Sequence, residues 1–159
     1  MSEVFNPFEK IRLPAEKKVW GMFVSAFPQG FRPGSIALVG DDGTLADLAA
    51  ESYAESKIIV VDRSAAVGAR LRGQGRTVIS GDIRHPDTVA RIVNETSGGA
   101  DAVFMKHGVY LNSPANQKIV VAGLFNACRQ DGMVGFSAPT AAVGYRYTSR
   151  SALEPLPRL

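Results

Sequence analysis

The sequence predicts an α/β fold in which an open, mostly parallel sheet is covered by helices on both faces. The first observation is a set of short, nearly continuous apolar runs, typical of strands buried on both faces, at 35–40, 57–61, 77–80, 101–105 and 133–137. The second is a set of helical segments between them, at 44–55, 64–72, 86–95 and 115–130. This alternation, with short connections, predicts right-handed βαβ units.

End signals support two of these helices. Pro86 and Asp87 stand at the start of the segment 86–95, where proline and an acid are both favoured. Gly132 follows the segment 115–130, as expected for a residue just beyond a helix end.

The sequence on either side of this core predicts three parts: an N-terminal helical extension (1–34), the α/β domain (35–148) and a C-terminal tail (149–159). In the extension, 13–27 predicts a helix with one apolar face, formed by Trp20, Phe23, Val24 and Phe27. Near the other end, 141–148 predicts a final strand. The prolines of the tail predict little regular structure there.

Composition indicates one globular domain without a membrane-spanning segment. The chain has 159 residues, of which 45% are hydrophobic and 21% are charged, and its apolar runs are too short to cross a bilayer. Its polar start is unlike a signal peptide, and its single cysteine, Cys128, excludes an intrachain disulfide. We therefore expect a cytoplasmic protein. The small net charge of +3 leaves nucleic-acid binding open.

The loop after the first strand, together with the second strand, is typical of a nucleotide-type ligand site. Gly40 and Gly43 let the backbone approach a ligand, and the helix that follows offers free amides. Asp62 ends the second strand about twenty residues further on, where an acid can accept both ribose hydroxyls. Asp82 follows the third strand, where it could meet the amino group of an adenine.

Asp41 and Asp42 lie between the two glycines, and their charge indicates which class of ligand the loop could bind. Negative charge would repel a pyrophosphate, whereas a ligand with an ammonium or sulfonium group would tolerate it. The pattern therefore favours S-adenosylmethionine over NAD. The alternative is that both aspartates cap the helix beginning at Thr44 and bind no ligand.

The chain resembles the class I S-adenosylmethionine-dependent methyltransferases, in five segments taken in order: FRPGSIALVGDDGTLADLA (31–49), IIVVDRSAA (58–66), SGDIRHP (80–86), GADAVFMKHGVYL (99–111) and LFNACRQDGMVGFSAP (124–139). The resemblance implies a Rossmann-like sheet of about five to six strands in the order 3-2-1-4-5. It implies a cofactor site formed by Gly40, Asp41, Asp42, Gly43, Asp62, Arg63, Gly81, Asp82, Ile83 and Lys106.

The chain departs from that family in two places. The family places an acid at the end of the first strand, where this chain has Ala37, Leu38 and Val39, so Asp41 or Asp42 would have to substitute. The family sheet also usually finishes with two more strands, and the 22 residues after position 137 hardly hold both. We therefore expect a minimal domain, or a homodimer or partner chain that completes the open edge.

Two alternatives remain. The chain is also similar to the NAD-linked short-chain dehydrogenases, through Gly40, Gly43 and Ala46 and through GDIRHPDTVARIV (81–93). The Tyr-x-x-x-Lys pair of that family is missing, since Tyr147 with Arg150 has the wrong spacing and a base that does not deprotonate. The second alternative is a non-catalytic methyltransferase-like binding or regulatory protein, supported by the departures described above.

His107 and Tyr110 are the candidate catalytic residues. Methyl transfer depends mainly on positioning, and His107 follows the fourth strand on the ligand side, where it could deprotonate an acceptor. Tyr110 or Asn112 could orient that acceptor, which is a small molecule or an unknown macromolecule. His85 and Cys128 show no ligand spacing, so no metal site is expected, and Cys128 is predicted to be a buried thiol.

Overall fold

The computed structural model describes residues 7–106, 112–138, 141–149 and 152–155. Five helices are described: α1 (Pro7–Ser25), α2 (Thr44–Ser52), α3 (Ala65–Gly73), α4 (Pro86–Glu95) and α5 (Pro114–Ala127). The described strands are β1 (Ser35–Val39), β2 (Lys57–Asp62), β3 (Thr77–Ser80), β4 (Ala100–Met105), β5 (Cys128–Ala138), β6 (Ala141–Ser149) and β7 (Ala152–Pro155). Across these ranges, no helix has the length and apolar content needed to cross a bilayer.

The strands form one sheet in the order β3-β2-β1-β4-β5-β6-β7. The first five are parallel, so the predicted order 3-2-1-4-5 is confirmed. β1 pairs with both β2 and β4, and Ile36 lies opposite Ile58 on one side and Ala102 on the other. The strand order reverses at β1. In open α/β sheets, ligands bind at such a reversal, beyond the carboxyl ends of the strands.

Alternate residues of the central strands pack into two separate cores. Ile36 and Leu38 of β1 join the core beneath α1, α2 and α3, which contains Trp20, Phe23, Leu45 and Leu71. Ala37 and Val39 join the opposite core beneath α4 and α5, which contains Ile92, Val120 and Leu124. The sheet is therefore covered on both faces, as predicted. The predicted apolar face of α1 is confirmed for Trp20 and Phe23, which are buried, and for Val24, which packs against the same core. Phe27 also packs there, but the helix ends at Ser25, two residues before the predicted end.

Two predictions about the second half of the chain were wrong. The fourth predicted helix ends at Ala127, and Gly132 lies inside β5. The backbone turns extended at Cys128, and Asp131 has a φ of 66°, so β5 begins with an irregular stretch beside β4. A side chain at Gly132 would overlap the Cys128 sulfur and the Asp101 carbonyl, so that close packing needs glycine there.

The sheet also extends further than expected. β6 pairs antiparallel with β5, as the predicted final strand, and β7 pairs antiparallel with β6. The tail was expected to have little structure, but β7 shows that residues 152–155 continue the sheet. Because the last residues do hold two more strands, the edge beyond β5 is not open. Self-association remains a prediction, but an open edge beyond β5 no longer supports it.

Close packing between α5 and the loop after β3 fixes one wall of the ligand side. A Cβ atom at Gly123 would overlap the carbonyl oxygen of Ile83, so only glycine lets α5 approach that loop. Gly81, in the same loop, similarly faces the side chain of Thr88 in α4. Because neither glycine has a side chain, the segment 81–84 packs closely against α4 and α5.

We predict opposite effects of the same substitution at two helical glycines. Gly123→Ala should lower the free energy of unfolding by about 1–3 kcal/mol, because it overpacks a backbone contact. Gly21→Ala, in α1, has no atom within 4 Å of the new Cβ and should raise that free energy by about 0.5–1 kcal/mol. Urea denaturation of both variants measures this difference. Equal changes in the free energy of unfolding of the two variants would contradict the described packing of α5.

Candidate ligand-binding site

A cavity of about 500 Å³ opens at the carboxyl ends of the central strands, where the strand order reverses. It spans the ends of β1, β2, β3 and β4 and is closed on one side by α5. Its lining consists of Val39, Gly40, Val61, Asp62, Arg63, Ser64, Gly81, Asp82, Ile83, Arg84, Met105, Lys106, Asn112 and Val120.

Gly40 lies at the centre of this cavity wall, where three chain segments meet. Its amide donates to the Val61 carbonyl at 2.8 Å, and the Lys106 amide donates to the Val39 carbonyl at 3.0 Å. Gly40 has a φ of 73°, and a Cβ there would come within 3.3 Å of the Lys106 carbonyl oxygen. Glycine is therefore required by both the backbone conformation and the close approach of β4.

Asp41 and Asp42 cap the N-terminus of α2. Asp41 is fully buried and its carboxylate accepts hydrogen bonds from the backbone amides of Gly43 (3.1 Å), Leu45 (3.0 Å) and Ala46 (2.9 Å). The amide of Thr44 donates to Asp42 at 3.3 Å. Four consecutive amides at the start of α2 therefore already have carboxylate acceptors. This is the capping alternative that the sequence left open.

The ammonium group of Lys106 lies among three carboxylates. It forms an ion pair with Glu16 of α1, and it lies 3.8 Å from Asp41 Oδ1 and 3.5 Å from Asp42 Oδ1. The side chains of Lys106, Glu16 and Asp41 are 11%, 6% and 0% exposed, so the cluster is largely shielded from water. Burial raises the pKa of Asp41, while the backbone hydrogen bonds and the charge of Lys106 act in the opposite direction.

Glu16 was not predicted as a site residue, although the sequence contains a signal for it. It lies four and seven residues before Trp20 and Phe23, which places a carboxylate on the apolar face of α1. A buried acid requires a partner, and here the partner comes from the end of β4. The N-terminal helix therefore contributes a charged group to this end of the sheet.

Asp62 and Asp82 line the cavity beside each other, beyond β2 and β3. Asp62 accepts a hydrogen bond from the Ser64 amide at 2.7 Å, which fixes its carboxylate at the strand end. Asp82 is paired with Arg84, and Arg63 lies 3.7 Å from it. The side-chain hydrogen bonds of Arg84 lower the pKa of Asp82 to about 2, against the effect of burial.

The structure distributes the expected site residues between three places. Those that line the cavity are Gly40, Asp62, Arg63, Gly81, Asp82, Ile83 and Lys106. Asp41, Asp42 and Gly43 do not line it, and Asp42 faces a second cavity between α1 and α2. His107 and Tyr110 lie outside the described residues. Asn112 lines the cavity, as does Arg84, which was not predicted as a site residue.

Cys128 and the acidic side chains that the structure describes bear on two possible features, a metal site and a reactive thiol. Within the described ranges, no group of three or more His, Cys, Asp or Glu side chains is arranged to hold a metal ion. Cys128 is buried, and burial together with the charge of Asp101 raises the pKa of its thiol to about 12. The thiol is therefore protonated at neutral pH and unreactive.

Several solved structures with a similar fold are methyltransferases. Human N-acetylserotonin methyltransferase, in complex with S-adenosylmethionine, is 14% identical over 81% of this chain, with a TM-score of 0.59. An O-methyltransferase family protein from Burkholderia thailandensis is 13% identical over 80%, with a TM-score of 0.56. The chain shares the Rossmann-like fold of these two proteins.

Coclaurine N-methyltransferase, bound to N-methylheliamine and S-adenosylhomocysteine, has the same methyltransferase fold. It is 14% identical over 86% of the chain, with a TM-score of 0.59. The chain spans 36% to 38% of the length of these three proteins. No protein-family model and no curated protein sequence matches it. At these identities the likeness establishes the methyltransferase fold and not an activity.

We predict that the charge of Lys106 is needed for stability. Lys106→Met should lower the free energy of unfolding by about 3 kcal/mol, because Glu16 and Asp41 remain buried without the ammonium. Lys57→Met is the matched control, since Lys57 pairs with Glu95 where both side chains are nearly half exposed. Its loss should cost no more than about 1 kcal/mol. Urea denaturation measures the free energy of unfolding of both variants. A decrease in Lys106→Met as small as that in Lys57→Met would show that the Lys106 cluster is not stabilising.

Proposed function

We propose that this chain binds S-adenosylmethionine and transfers its methyl group to an acceptor that is not yet identified. The observation that carries this proposal is the position of Asp62. It lies at the carboxyl end of β2, beside the point where the strand order reverses, and it lines a cavity of about 500 Å³. A carboxylate in that position can accept both hydroxyls of a ribose. The methyltransferase fold of the chain supports the same ligand.

The capping of α2 favours a single nucleoside over a dinucleotide. A pyrophosphate in this class of sheet is held by free amides at the helix N-terminus. Here Asp41 and Asp42 accept from the amides of Gly43, Thr44, Leu45 and Ala46. A bound pyrophosphate would have to displace the buried carboxylate of Asp41, and NAD is therefore the weaker candidate.

The residues of this chain would act mainly by holding and shielding the reactants. When bound, S-adenosylmethionine supplies an electrophilic methyl group. Asp62 would hold the ribose, while Met105 and Val120 would exclude water from the cavity. Asn112 lies at the β4 side, where it can orient an acceptor. His107 directly follows Lys106 in the chain and is the proposed base for an acceptor proton.

A second candidate function is a non-catalytic binding module with the same fold, and one observation favours it. The ammonium of Lys106 already lies 3.8 Å from Asp41 and 3.5 Å from Asp42, the carboxylates to which a cationic cofactor group could otherwise bind. A protein that lost methyl transfer could keep this internal ion pair for stability alone. Binding of the cofactor separates the two functions.

Calorimetric titration with S-adenosylhomocysteine tests the proposal. We expect binding to the native chain, and at least tenfold weaker binding to Asp62→Ala, since a ribose hydroxyl pair would lose a charged acceptor. Glu95→Gln is the control, because Glu95 lies at the opposite end of the sheet beside the start of β2. NAD and NADP, titrated in parallel, should not bind.

Three outcomes would contradict parts of this account. Binding that Asp62→Ala leaves unchanged would exclude the proposed ribose position. Binding of NAD in place of S-adenosylhomocysteine would favour the reductase alternative. Failure of all three compounds to bind would favour the non-catalytic module.

A further inference from the structure

The acceptor capacity of Asp82 is taken up by Arg84. The backbone amide of Arg84 donates to Asp82 Oδ1 at 2.9 Å, and its Nε donates to Oδ1 at 3.1 Å and to Oδ2 at 3.0 Å. Its Nη2 donates to Oδ2 at 2.6 Å. Three N–H groups make these four contacts, because the single Nε hydrogen is shared between both oxygens. A carboxylate offers about four acceptor positions, and each oxygen of Asp82 already faces two of these contacts.

The pair is held rigidly within the wall of the cavity. Both residues line it, and the side chain of Asp82 is only 14% exposed. Gly81, which precedes them, donates its amide to the Asp62 carbonyl at 3.0 Å and packs on Thr88. The Ile83 carbonyl lies against Gly123 of α5. The loop therefore cannot move away without disturbing α4 or α5.

The pairing of Asp82 with Arg84 determines which hydrogen-bonding groups the cavity wall offers to the purine of a nucleoside. With a ribose on Asp62, the base of the nucleoside extends towards the loop after β3, which is next to β2 in the sheet. The 6-amino group of adenine is a donor and needs an acceptor, and Asp82 no longer supplies one. Arg84 supplies donors instead, and its Nη1 makes no hydrogen bond to any residue that the structure describes.

We propose that Arg84 sets the base specificity of the cavity by occupying the carboxylate of Asp82, so that the native chain does not select a 6-amino purine over a 6-oxo purine. The 6-oxo group of hypoxanthine is an acceptor and matches the guanidinium, whereas an adenine amino group has to compete with Arg84 for Asp82. This inference rests on the proposed function, because it requires a nucleoside in the cavity.

The experiment compares two ligands that differ only at this edge of the base. S-adenosylhomocysteine carries the 6-amino group and S-inosylhomocysteine carries a 6-oxo group. Calorimetric titration of the native chain should give similar affinities for the two, or tighter binding of the inosine compound. In Arg84→Met, Asp82 is released, and the affinity ratio should shift towards the adenosine compound by roughly tenfold.

Arg63→Met is the matched control. Arg63 lies beside the same carboxylate at 3.7 Å, beyond hydrogen-bond distance, and 73% of its side chain is exposed. Removing its charge from the cavity should leave the ratio unchanged, because Asp82 remains occupied. Thermal unfolding of each variant establishes that it is folded before titration.

The two proposals fail in different ways. If the native chain already prefers the adenosine compound by tenfold and Arg84→Met leaves the ratio unchanged, Arg84 does not set base specificity, while the proposed function stands. An equal shift of the affinity ratio in Arg63→Met would show that the shift comes from the loss of a positive charge and not from the release of Asp82. That result would also overturn the inference. If neither compound binds to the native chain or to Arg84→Met, the proposed function fails and the inference fails with it.

Discussion

The ion-pair cluster around Lys106 is the constraint on which the candidate site depends. Lys106 directly follows β4, Asp41 lies in the loop after β1, and Glu16 belongs to the N-terminal helix, so one ammonium group joins three separate segments. Buried charges of this kind are tolerated only when they are paired and hydrogen-bonded. Asp41 meets that condition through three backbone amides as well as Lys106. The position of α1 on the sheet and the shape of the first loop are therefore linked.

That cluster also changes how the first loop can meet a ligand. In a nucleotide-binding sheet, the glycine loop and helix N-terminus normally offer free amides. In this chain those amides donate to Asp41 and Asp42, and neither aspartate lines the cavity. The ligand-facing charges come instead from the ends of β2 and β3, where Asp62 remains accessible and Asp82 is paired with Arg84. The charged groups at the β2 and β3 end of the cavity, where we propose that a nucleoside binds, are therefore more accessible to a ligand than those at its β1 end.

Local patterns predicted most of the fold, because strands buried on both faces are recognisable from composition alone. Helix α4 was predicted with its observed bounds, since Pro86 and Asp87 mark its start. The start of β5 was missed because it depends on packing of Gly132 against β4 and not on local propensity. Within the site, Asp62 was predicted as a lining residue from its position at the end of a strand. The pairings of Glu16 and Arg84 could not be predicted, because they depend on which side chains the fold brings together.

We propose that a nucleoside lies across the ends of β2 and β3 with its ribose on Asp62. A crystal structure of the chain grown with S-adenosylhomocysteine tests this most directly. Our account predicts both ribose hydroxyls within hydrogen-bond distance of the Asp62 carboxylate, with Asp41 still bound to the amides of α2. A ligand seated on the α2 amides in place of Asp41, or bound in the second cavity between α1 and α2, would contradict it.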